Sequence, residues 1–216
     1  MPRWWDVTAP QGGVQLIEHP FGFVDPAYGG WSPYAIESGN LKIMMRKATD
    51  VGVVLLNQYT AQPVPWVTGM LLGRWRFDQR FGVFEARMQM PSGANMLPAF
   101  WLFPADVSWP PEIYTEGLPN GQVRFGTVTD GPLRVQNDYS MGDLSSAMHD
   151  WTVVWRSDRT WLYIDGVLAG VQDLTGRPIS EEMFLILSFG LLGTPDGATP
   201  TNADMLIESV RGWQFV

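Results

Sequence analysis

The chain has 216 residues, 45% of them hydrophobic and 17% charged, which is enough apolar side chain to bury a sizeable core in one ordinary or one large all-β domain. A formal net charge of −8 argues against a nucleic acid partner, because counterion release needs a surplus of lysine and arginine. With no cysteine there are no disulfides, thiolate chemistry or cysteine-held metals, and no apolar run reaches the roughly 18 residues of a membrane-spanning helix.

Residues 1–33 carry Pro2, Pro10, Pro20, Pro26 and Pro33 among scattered glycines, and are expected to be irregular. Met1–Asp6 is followed by no apolar run and does not read as a secretory leader. A secreted protein with its leader removed is the expectation, with an intracellular one left open. Tyr34–Ile36 and Leu41–Met45 flank Ser38-Gly39-Asn40 and predict a hairpin. Val53–Asn57 predicts a short strand. The loop Tyr59–Thr68 carries Pro63, Pro65 and Trp66 and is placed to line a cleft. Leu71–Phe77 and Phe81–Met90 predict strands. In the second, Phe84, Ala86, Met88 and Met90 alternate with Glu85, Arg87 and Gln89, the pattern of a half-buried strand.

Pro98–Phe103 predicts the next strand. Gln122–Thr129 and Leu133–Asn137 pair around Asp130-Gly131. His149–Trp155, Trp161–Ile164 and Val167–Val171 predict a meander, its last turn marked by Asp165-Gly166. A single helical turn is expected near Leu144–Met148. Glu181–Leu192 is largely apolar and predicts a buried strand, and Met205–Val216 the closing one. About a dozen short strands, with no helical period, predict an all-β sandwich of two large antiparallel sheets in one domain over residues 1–216.

The segment Trp109-Pro-Pro-Glu112-Ile-Tyr114-Thr-Glu116 carries the candidate chemistry. A strand alternates its faces, so Glu112, Tyr114 and Glu116 share one. At about 3.3 Å per residue the two glutamate backbones lie roughly 13 Å apart, and side chains leaning together close that to about 5–6 Å. Retaining glycosidases hold their two carboxyls roughly 5–5.5 Å apart. From spacing alone, two solvated glutamates on an edge strand is the plainer reading.

Five ordered blocks add to this. Phe81-Gly-Val-Phe-Glu85-Ala-Arg87-Met88, Leu97-Pro-Ala-Phe-Trp101-Leu102, Glu112-Ile-Tyr-Thr-Glu116, His149–Trp155 with Trp161–Gly166, and Met205-Leu-Ile-Glu208-Ser-Val210 are the blocks. Together they resemble glycoside hydrolase family 16, the concanavalin A-like jelly-roll endo-β-glucanases and endo-galactanases. The likeness covers about residue 34 to the end.

The resemblance implies a retaining double displacement, with Glu112 as nucleophile and Glu116 as general acid/base. Trp109 resembles the family tryptophan that packs on the sugar beside the scissile bond. Trp101, Trp66 and Trp31 are further candidate sugar platforms, each weighed against plain packing. The chain departs from the family where Tyr114 stands in place of the middle aspartate; its hydroxyl is expected to donate to Glu112, or its bulk to crowd the subsite. Leu97 replaces a family tryptophan, and Thr129 falls where a histidine is common. No residue is inserted between Tyr114 and Glu116, so the strand is expected to be regular, as in mixed-linkage glucanases and xyloglucan enzymes.

His19 is expected at the surface, and His149, beside Asp150, in a structural hydrogen bond. The implied chemistry requires no cofactor. Family members often hold a structural calcium through a carbonyl matching Gly39 and an acid matching Glu208, the two candidate metal ligands here. The expected substrate is a neutral 1,3- or mixed 1,3/1,4-linked β-glucan, met by a monomer with no nucleic acid or membrane partner. Rival readings are a non-catalytic carbohydrate-binding relative, a transglycosylase or a galactanase.

Overall fold

The computed structural model describes residues 21–56, 62–129 and 133–215. Its strands are β1 (Phe21–Phe23), β2 (Tyr34–Glu37), β3 (Asn40–Lys47), β4 (Trp66–Thr68), β5 (Met70–Leu72), β6 (Asp78–Gln79), β7 (Gly82–Gln89) and β8 (Met96–Pro104), followed by β9 (Glu112–Leu118), β10 (Gln122–Thr129), β11 (Leu133–Ser140), β12 (His149–Arg156), β13 (Arg159–Ile164), β14 (Val167–Asp173), β15 (Met183–Leu191) and β16 (Asn202–Trp213). A four-residue helix, α1 (Pro26–Gly29), starts where the Asp25 carboxylate accepts from the Ala27 N–H at 2.8 Å.

Two sheets form. One runs β1-β4-β3-β16-β7-β12-β13-β14 with β2 beside β3; the other runs β11-β10-β9-β8-β15-β5 with β6 beside β15. Among the described residues every pairing is antiparallel except β1 with β4. The inner faces meet in a core that includes Phe84, Met88, Phe100, Phe125, Trp151, Trp155, Phe184 and Phe189. Strand β7 alternates buried and half-buried residues along its length, as its sequence predicts. In contrast β15 is buried at every position, which explains its unbroken apolar run.

The predicted hairpin at Ser38-Gly39 forms, with φ of +51° and +83° at its two turn residues. Five expectations change. The strand expected over Leu71–Phe77 ends at Leu72, because the chain turns there, with the Arg76 and Phe77 N–H groups donating to the Gly73 carbonyl. The stretch expected to be irregular, where described, contains β1 and α1, because Phe21 and Phe23 bury their rings beside β4. Over Val53–Leu56 there is no strand, only an isolated bridge from Leu56 to Pro63 after a 3₁₀ turn at Ala48–Val51. Trp66 to Thr68 form β4 rather than a cleft loop. Over Leu144–Met148 there is no helical turn, only a bend at 145–147; there the Asp143 carboxylate accepts from the Ser145 N–H at 2.9 Å, a local bond that competes with helix. His19, Asn57, the tip of the 57–61 loop and the Asp130-Gly131 turn lie outside the described residues.

Candidate active site

Strand β9 lies in the interior of its sheet, between β8 and β10, not at an edge. It pairs with both neighbours without a register shift, so it is regular, as the spacing between Tyr114 and Glu116 predicts. Residues directly opposite across a ladder share a face. The pairing therefore makes three parallel rows on the outward side of this sheet. The first is Ala99, Glu116, Arg124 and Asp138; the second is Trp101, Tyr114, Gly126 and Gln136; the third is Glu112, Val128 and Arg134. Alternate residues Ile113, Thr115, Phe100, Leu102 and Phe125 turn inward and are buried.

Glu112 is half-buried, and its Oε2 accepts from the Trp109 indole Nε1–H at 3.1 Å. Trp109 stays 51% exposed, so its ring has a solvent-facing side. The prolines after it, Pro110 and Pro111, both follow cis peptide bonds. Burial pushes the Glu112 carboxyl above the usual carboxylate range; the Trp109 N–H and the Arg134 charge pull it part of the way back. The Glu116 side chain is 16% exposed, and its Oε2 lies 3.4 Å from Arg124 Nη1. Burial raises this carboxyl too, with the Arg124 guanidinium opposing and the nearby Glu112 charge adding to the rise. The site thus holds two carboxyls that favour the neutral form more than free glutamates do, each facing a different positively polarised partner.

Tyr114 does not serve Glu112. Its hydroxyl donates to Gln136 Oε1 at 2.7 Å, and its ring lies across Gly126. Arg134 caps the ring from 5.3 Å. Burial pushes the phenol up to about 12, so it remains a neutral donor. The expected bond to Glu112 fails because the empty side of Gly126 gives the long side chain a path toward β11.

Trp101 faces the same side as Tyr114, with its indole N–H held by the Ser188 hydroxyl at 3.0 Å and its ring set edge-on to Phe103. Trp66 is 4% exposed and packs in the core. A ring that solvent does not reach has no face for a sugar. Trp31 is half-buried against Val24, Ala48, Val53, Val64 and Val67, a satellite cluster. Leu97 lies two residues before Ala99 on the outward side, and Thr129 is buried at the end of β10. His149 and Asp165 form a structural pair at 2.7 Å, and Asp165 also accepts from the Asp150 N–H.

Sequence reading missed Arg124, Arg134, Gln136 and Asp138. Asp130-Gly131 marks the hairpin but not its register: counted out from that pair, 126 would face 135, whereas the ladder sets 126 opposite 136 and 124 opposite 138.

The sequence matches Glycosyl hydrolases family 16 over residues 31–177. The chain belongs to this family. It is 27% identical to Endo-1,3-1,4-beta-glycanase ExsH of Rhizobium meliloti (strain 1021) over 98% of this chain and 46% of that protein. To Endo-1,3-1,4-beta-glycanase EglC of the same organism it is 25% identical, over 99% of this chain and 47% of that protein. The chain therefore spans about half the length of these two relatives. In fold it is similar to the laminarinase catalytic domain from Thermotoga maritima MSB8, with a TM-score of 0.80 at 20% identity, over 100% of this chain and 93% of that one. Both confirm the jelly-roll sandwich expected of family 16.

Gly39 and Glu208, the two residues expected at a calcium, line one cavity, where Glu208 Oε2 is held by Arg87 Nε at 3.1 Å. Among the described residues no group of three or more acids or histidines is placed to hold a metal.

Proposed function

We propose that the chain is a retaining endo-β-glycanase acting on a neutral β-glucan with 1,3 or mixed 1,3/1,4 linkages. The observation that carries this reading is the pair Glu112 and Glu116 on the outward face of an interior strand, both partly desolvated and flanked by the exposed ring of Trp109. The Rhizobium relatives, both named endo-1,3-1,4-beta-glycanases, support the choice of glucan.

In the first step the Glu112 carboxylate attacks the anomeric carbon. The bond to the departing oxygen breaks, and that oxygen takes the proton of Glu116. The glycosyl ester removes the charge on Glu112, so Glu116, now ionised, is no longer repelled by it. A water then attacks the same carbon and gives its proton to Glu116, and Glu112 leaves as the carboxylate. Trp109 holds the Glu112 oxygen by its N–H and offers its ring to the sugar.

Reducing-sugar release from mixed-linkage glucan, laminarin and galactan tests this. Wild type releases sugar and Glu112→Gln does not; equal rates in the two remove Glu112 from the role, and turnover confined to the galactan moves the substrate class. A second reading, a non-catalytic carbohydrate-binding relative, is favoured by one observation: Tyr114 stands where the family has its middle acid, and its hydroxyl is committed to Gln136. Glucan binding without turnover would select that reading, and product chains longer than the substrate would select a transglycosylase.

A further inference from the structure

An acid that must deliver a proton is poorly served by an arginine at its side, because a cation within hydrogen-bonding range stabilises the carboxylate. Glu116 has such a neighbour in Arg124. The row does not stop there. On the far side, Asp138 grips Arg124 at two points, Nε to Oδ1 at 2.9 Å and Nη2 to Oδ2 at 3.2 Å. Only Nη1 is left for Glu116, at 3.4 Å, the long end of a hydrogen bond. Two-point pairing with a carboxylate fixes the plane of a guanidinium as well as its position. Arg124 is therefore oriented by β11 and merely touches β9.

We propose that Asp138 is a positioning residue of the cleft: its two-point grip keeps Arg124 from closing on Glu116 and leaves Glu116 able to carry a proton to the departing sugar. This rests on the reading of Glu116 as acid/base. The other charged or titratable groups facing Glu116 are Glu112 and Tyr114 from its own strand and Arg134 from β11; β8 presents Ala99, which carries no charge. None of these orients Arg124.

The test reads the Glu116 proton directly, by carboxyl-carbon NMR titration of glutamate-labelled protein, with the resonance assigned by Glu116→Gln. In Asp138→Asn the Glu116 midpoint falls by roughly one pH unit, the low end of what a close opposite charge exerts. In Asp138→Glu, which keeps the charge, it stays near wild type. In an Arg124→Met background the Asp138→Asn change moves it by no more than half as much, since its route through the guanidinium is gone. A midpoint unmoved by Asp138→Asn, or moved equally with Arg124 absent, overturns the proposal. Glucan hydrolysis by Glu116→Gln separates the two failures: full activity there refutes the acid/base reading itself, whatever the titration gives.

Discussion

Gly126 is the one place on the outward face of β10 where a methyl group would be decisive. A Cβ built there lies 2.4 Å from the Tyr114 hydroxyl oxygen and 2.5 Å from the ring carbon that bears it. Ordinary contact needs about 3.4 Å or more, so the ring must retreat by about 1 Å. Tyr114 is 2% exposed and capped by Arg134, so the retreat displaces packed neighbours and breaks the bond to Gln136. Overpacking of this kind costs about 1–3 kcal/mol, and the lost hydrogen bond about 1 kcal/mol. Gly126→Ala is expected to lose about 2–3 kcal/mol by urea denaturation. Its Tm falls by about 4–12 °C, at the 2–4 °C per kcal/mol of a chain this size. In a Tyr114→Ser background the sign reverses. There alanine has open space, and it loses less backbone entropy in a strand than glycine by about 0.5–1 kcal/mol. Wild-type stability in Gly126→Ala, or equal losses in both backgrounds, would refute the reasoning.

Four other outcomes are expected. Trp109→Phe keeps a ring but removes the N–H that favours the charged form of Glu112; the acidic limb of the kcat/KM profile on glucan moves to higher pH, with little change on the alkaline side. Burial raises the Glu112 carboxyl, so its ionisation destabilises the folded chain as pH climbs from the unfolded value near about 4.3 through the folded one. Glu112→Gln lacks this loss, and its Tm exceeds wild type at pH 8, with the gap closing at pH 4. Trp66→Ala empties a core site and costs about 3–5 kcal/mol. Trp109→Ala changes stability by no more than about 0.5 kcal/mol but weakens retention in glucan affinity electrophoresis.

Period-two alternation made β7, β12 and β13 legible, because each lies on a single core with solvent on its other side. Strand β1 escaped notice for the opposite reason. It is three residues long, buried throughout and paired in parallel with a segment that proline content had marked as a loop. Trp66 shows the same limit: two prolines just before a tryptophan, Pro63 and Pro65, say where the chain bends, not which way the ring turns. The two glutamates were legible because strand geometry alone puts them on one side. Their regulators were not, since Arg124, Gln136 and Asp138 come within reach only through pairing across three strands. The direction of the Tyr114 hydroxyl depended on the missing side chain of Gly126, a gap no local pattern reveals.

Among the described residues, strand β11 ends its sheet and has a single ladder partner, β10. The groups that steer the acid pair thus hang from the outermost hairpin of the sandwich, beyond the strand that bears the acids. Exchanging only the outward side chains of that hairpin leaves Val123 and Phe125, which fill the core from the same strand, in place. Proton affinity in this scaffold is therefore a detachable trait, open to retuning for a new working pH while the acids themselves stay put.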